Sequence, residues 1–75
     1  MDKKQLGQEI AKQRKAKGMS QWALANETGI NRSVISYIES GYVLPSGEQL
    51  RAIERALGEN VIEVRHEQTA VQGAQ

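Results

Sequence analysis

Apolar residues recur along the first 58 positions in short stripes with helical spacing. Leu6, Ile10 and the pair Gln13/Arg14 keep the period of one helix face and predict a helix from about Lys3 to Lys17. Asp2 and Gln5 stand three apart, as in a capping box, and Gly18 suits the left-handed residue that stops such a helix. A second segment, Gln21 to Thr28, follows the good N-cap Ser20 and carries Leu24 and Ala25 on one face. The third runs from Arg32 to Ser40 behind the N-cap Asn31, with Ile35 and Ile38 together and Val34 beside them. Tyr42 to Pro45 reads as a loop, because Pro45 keeps Leu44 out of a helix. Ser46 and Gln49 form a second capping-box pattern, and Leu50, Ile53, Ala56 and Leu57 stripe a fourth helix up to Gly58. Glycines at 7, 18, 29, 41, 47 and 58 punctuate these segments.

The pattern changes after Gly58. Val61 to Glu67 is rich in β-branched residues, with Ile62 and Val64 facing one way and Glu63, Arg65 and Glu67 the other. A short strand is the first reading and a fifth helix the second. Gln68 to Gln75 is small and polar, as expected of a frayed tail. The expected organisation is one domain over 1–58, a dimerising strand or helix over 59–67 and a flexible tail over 68–75. Val61, Ile62 and Val64 are too apolar for a free tail. Pairing across a two-fold axis would cover them.

Composition narrows the class. The chain has 75 residues, no cysteine, no phenylalanine and 4% aromatics, which disfavours disulfide staples and aromatic-rich β-sandwiches. The longest apolar run, Trp22 to Ala25, is far short of the roughly 20 residues of a membrane span. The opening Met1-Asp2-Lys3-Lys4 has no apolar stretch of the kind a signal peptide needs. A cytoplasmic, all-α domain is expected, with no membrane association. Net charge is only +1, but residues 1–17 carry six Lys/Arg against Asp2 and Glu9, while the remainder is net acidic. Such asymmetry suits a polyanion-binding face, although a solvated, lysine-rich helix face is the more common cause of it.

Enzymatic readings fail on inventory. With one histidine and no cysteine, no nucleophile–base set is available, and Ser20, Ser33, Ser36, Ser40 and Ser46 all have capping or surface explanations. No phosphate-cradling glycine loop is present. His66 with Glu63 and Glu67 has metal-ligand spacing if helical, but a polar tail explains it better. No cofactor and no metal are expected.

Two short helices joined through a glycine turn, Gln21 to Ser40 with Gly29 at the turn, form a helix-turn-helix pattern. Further residues in register extend it: Met19-Ser20-Gln21, Leu24-Ala25, Gly29-Ile30, Ile35-Ser36, Ile38-Glu39-Ser40-Gly41, Pro45 and Leu57-Gly58. This string resembles the Cro/C1-type (XRE-like) phage-repressor family over about Leu6 to Gly58. The resemblance implies a compact four- to five-helix, lambda-repressor-like domain that binds double-stranded DNA, usually as a homodimer.

In that frame the third segment is the recognition helix, and its polar side carries the base-contact candidates Arg32, Ser33, Ser36 and Tyr37. Arg32 has the fork that grips guanine O6 and N7. Gln21, at the start of the second helix, is a phosphate contact by the resemblance, and Asn31, Ser40 and Tyr42 flank the recognition helix where further phosphates would lie. Arg14 and Glu39 occupy the family's structural ion-pair positions. Trp22 departs from the usual polar residue; it suits a core edge near Met19, a DNA backbone contact or a partner. Tyr42 stands where a basic residue is common, and the apolar Val43-Leu44 beside it would close the core or touch a second subunit.

Two functions follow. The first is a transcriptional repressor occupying a pseudo-palindromic operator. The second is the antitoxin of a toxin–antitoxin pair, which would bind both a toxin and its own operator.

Overall fold

The computed structural model describes residues 2–58. They form α1 (Lys3–Ala16), α2 (Gln21–Thr28), α3 (Arg32–Glu39) and α4 (Gly47–Leu57), with no strand among them. The strand-or-helix expectation for 59–67, the dimerising role of Val61, Ile62 and Val64, and the tail over 68–75 lie outside the described residues.

Local chemistry sets the boundaries. Asp2 and Ser46 close full capping boxes with Gln5 and Gln49, and Ser20 and Asn31 cap α2 and α3 through their side-chain oxygens. Each cap satisfies a backbone N–H that the first helical turn leaves unpaired. Thr28 Oγ1 donates to the Leu24 carbonyl at 2.8 Å and accepts from Ile30 N–H at 3.2 Å, which ties the end of α2 into the turn. Gly29 then takes a left-handed conformation (φ 76°, ψ 11°) and donates to the Ala25 carbonyl. That conformation costs most residues roughly 1–2 kcal/mol and glycine almost nothing. Only Gly29, Ile30 and Asn31 separate the two helices, so α3 is fixed closely relative to α2.

Among the described residues, nine apolar side chains make the core: Leu6, Ile10, Leu24, Ala25, Ile30, Ile35, Ile38, Ile53 and Leu57. Met19, Val34, Leu50 and Ala56 pack against its edge. Helix α3 rests on α1 and α2, and α4 packs on α2. Val43 and Leu44 are exposed and do not close this core.

Gly7 is not a boundary of the kind the punctuation pattern suggested, whereas Gly47 opens a helix as expected. Gly7 is buried inside α1, and Gly47 is the first residue of α4. At Gly7 a Cβ would run into the carbonyl oxygen of Ile38 and stand 2.8 Å from that of Glu39. The missing side chain is what lets α1 press directly on the C-terminal turn of α3.

Candidate nucleic-acid interface

Helix α3 presents two unlike faces. At 100° per residue, Arg32, Ser36, Ser33 and Tyr37 fall within an arc of about 140°, and Ile35 and Ile38 fall on the other side. The structure agrees: Ile35 and Ile38 are fully buried, Ser33 and Tyr37 are exposed, and Arg32 and Ser36 are half-buried. The four base-contact candidates therefore share one accessible surface.

That surface is anchored from below. Arg14, only 7% exposed, reaches from α1 to Glu39 at the end of α3. Its Nε donates to Glu39 Oε2 at 2.7 Å and its Nη2 to Oε1 at 3.0 Å, while Nη1 donates to the Met19 carbonyl at 2.7 Å. The geometry is bidentate and sheltered, the stronger form of such a pair. Gln21 extends the network. Its Nε2 donates to Glu39 Oε1 at 3.0 Å, and its Oε1 accepts a long bond from Arg32 Nη1 at 3.4 Å. The first residue of α2 thus links the buried ion pair to the first residue of α3. The Gln21 side chain is held by its neighbours through both its amide nitrogen and its amide oxygen.

Arg32 has a second contact that sequence reasoning missed. Its guanidinium carbon lies 5.2 Å from the centroid of the Trp22 ring, within cation–π range. Trp22 is 66% exposed, so it sits on Arg32 and not at the core edge near Met19.

The remaining candidates lie at the two ends of α3. Asn31 Oδ1 accepts from both the backbone N–H (2.9 Å) and the hydroxyl (2.7 Å) of Ser33, so both side chains are fixed at the N-terminal end. At the other end Ser40 is exposed, and the Tyr37 and Tyr42 rings meet at 6.1 Å between centroids in a tilted pair. The N-terminus of α1 lies beside them: Lys3 Nζ is 3.5 Å from the Tyr42 carbonyl oxygen, and the Lys4 backbone abuts Gly41.

The six N-terminal cations do not form one patch. Lys3 and Lys4 border the end of α3, Arg14 is buried against Glu39, and the Lys17 side chain lies beside Gly58 at the end of α4. The basic edge next to α3 is smaller than the charge count implied.

A family model described as helix-turn-helix matches residues 10–64, which is most of the chain. The chain belongs to the Cro/C1-type helix-turn-helix family. Its fold is also that of the clp gene regulator ClgR from Corynebacterium glutamicum, with a TM-score of 0.77 and 29% identity over 97% of this chain and 81% of that one. No curated protein matches the chain. As a member of this helix-turn-helix family the protein is a DNA-binding domain of the transcription-regulator class, with α3 in the recognition position. No helix among the described residues is long and apolar enough to cross a membrane. Nor do those residues gather three potential metal ligands; His66, Glu63 and Glu67 lie beyond them.

Proposed function

We propose that this helix-turn-helix protein represses transcription by occupying a pseudo-palindromic operator as a homodimer. One observation carries the reading: α3 offers a single accessible arc of donors, Arg32, Ser33, Ser36 and Tyr37, backed by a rigid, hydrogen-bonded base. A helix laid in the major groove meets base edges with its N-terminal residues and those one turn on. Arg32 would grip guanine, and Tyr37 would bond a base or pack on a thymine methyl. Gln21, Asn31, Ser40 and Tyr42 surround that arc and would take backbone phosphates, which fix register without reading sequence.

The dimer follows from information content. One recognition helix reads only about 4–6 base pairs, too few to single out a site, so two half-sites about one helical turn apart are required. The apolar residues Val61, Ile62 and Val64 remain the proposed contact between subunits. Repression needs nothing beyond occupancy of a promoter, which suits a domain whose described surface offers no catalytic set.

Sedimentation of the protein with its selected duplex tests this. Two chains per duplex, together with loss of transcription from a promoter overlapping the site, is the expected result. A one-to-one complex on a single short half-site overturns the dimer. Release of the operator when a co-purifying toxin is removed would favour the antitoxin reading instead.

A further inference from the structure

Trp22 is the feature the DNA-binding reading leaves unused. It is the sole tryptophan of the chain and two-thirds exposed, on the first turn of α2, ten residues from Arg32 in sequence. Nothing in the core needs it. Its ring instead covers the guanidinium of Arg32 at 5.2 Å, while the neighbouring residue, Gln21, accepts from Arg32 Nη1 at 3.4 Å. Among the described residues, the partners of that guanidinium are therefore a ring face and an amide oxygen. Two consecutive residues of α2 hold one side chain of α3 from two directions.

The physical consequence concerns orientation. A free arginine on a helix N-terminus has many rotamers, and a two-donor grip on guanine must freeze most of that freedom on binding. The ring face, 5.2 Å from the guanidinium carbon, limits where the group can move, and the bond to Nη1 limits how it can turn. The other edge of the fork, Nε and Nη2, is left unclaimed by either partner. Neither contact neutralises the charge, as a carboxylate would. The side chain is thus pre-set without being quenched.

We propose that Trp22 is a specificity-determining positioning residue, a platform that pre-orients Arg32 for one guanine of each half-site. This rests on Arg32 being a base-reading residue. Trp22 acts through Arg32 and contacts no base itself. Exposed cation–π contacts are modest, so its loss is expected to reduce discrimination at the guanine read by Arg32 about two- to five-fold. Binding to duplexes already lacking that guanine should be unchanged.

The test uses the full chain and a duplex selected from a random pool, alongside a duplex with the preferred guanine replaced. Discrimination is measured for the wild type, Trp22→Leu, Trp22→Phe, Arg32→Ala and the double variant Trp22→Leu/Arg32→Ala. Trp22→Leu should lose two- to five-fold and Trp22→Phe should restore part of the loss, since phenylalanine keeps a ring face. In the Arg32→Ala background Trp22→Leu should change nothing. Without DNA, Arg32→Ala should alter Trp22 fluorescence, whereas Lys12→Ala should leave it unchanged. Because Trp22 is exposed, none of these variants should alter the helical content seen by circular dichroism.

Each failure has its own signature. If Arg32→Ala leaves the preference intact, the base-reading role of Arg32 falls and the platform falls with it. If Arg32→Ala abolishes the preference but Trp22→Leu keeps it, only the platform is overturned. An equal loss by Trp22→Leu on every duplex, persisting without Arg32, would show that Trp22 leans on the DNA backbone directly.

Discussion

Replacing Gly7 by alanine tests how α3 is seated. Glycine in a helix interior costs roughly 0.5–1 kcal/mol relative to alanine, so Gly7→Ala would stabilise α1 if only local propensity mattered. Tertiary geometry reverses the sign. The new methyl would overlap the Ile38 carbonyl oxygen and stand 2.8 Å from the Glu39 carbonyl oxygen, where about 3.3–3.6 Å is comfortable. Both obstacles are backbone, so no rotamer change can relieve them, and α1 must retreat from α3. Overpacking of this kind costs about 1–3 kcal/mol and sometimes more. The retreat also stretches the Arg14–Glu39 pair, which spans the same two helices. A net loss of about 2 kcal/mol or more is expected. A domain of this size is stable by roughly 3–9 kcal/mol, so that loss is a large share. The melting temperature should fall by about 8–16 °C. Gly47→Ala is the matched control. A Cβ there would meet only the end of Arg51 at 3.8 Å, an ordinary contact, so this variant should gain about 0.4–1 kcal/mol. Thermal unfolding followed by circular dichroism reads both. A Gly7→Ala protein as stable as the wild type, or a Gly47→Ala protein damaged to the same degree, would refute the packing argument.

Further outcomes follow from the same geometry. Glu39→Ala strands a buried guanidinium and should cost about 3–5 kcal/mol in urea unfolding, with Glu39→Gln intermediate; a change under 0.5 kcal/mol would show the pair to be dispensable. Asn31→Ala removes the cap of α3 and should cost about 1 kcal/mol by the same assay, unless Ser33 replaces it. Operator affinity should fall with salt along a log–log slope of about −4 to −7, from 4–8 neutralised phosphates in a dimer. Lys3→Ala and Lys4→Ala should flatten that slope, because those residues border the end of α3. Lys17→Ala, beside Gly58, should leave it unchanged.

The helices were legible because their limits depend on short-range chemistry. Asp2 with Gln5, Ser20, Asn31, and Ser46 with Gln49 each lie within three residues of the N–H they satisfy. The two faces of α3 were legible for a similar reason, since a helix maps sequence spacing directly onto angle. The Arg14–Glu39 pair was legible only through the family resemblance, as 25 positions of chain separate the two. What spacing cannot supply is contact between helices. Gly7 looked like punctuation because its reason for being glycine lies on α3. The links from Gln21 to Glu39 and from Trp22 to Arg32 depend on how α2 meets α3 across the turn. Glu54 is a different case: it is buried, yet on a helical wheel it falls about 40° beyond Leu50, outside the arc of Leu50, Ile53 and Leu57. Its burial beside the apolar stripe depends on how α4 packs, which spacing along one helix does not supply.

In the proposed mode of action, the accessible arc of α3 reads DNA sequence. Selecting bound duplexes from a random pool, with the wild type and with Arg32→Ala in parallel, tests it most directly. The wild type should enrich two inverted half-sites about one helical turn apart, each with an invariant guanine, and Arg32→Ala should lose the preference at that guanine alone. A pool that stays random under the wild type, or an identical site enriched by both proteins, would contradict it.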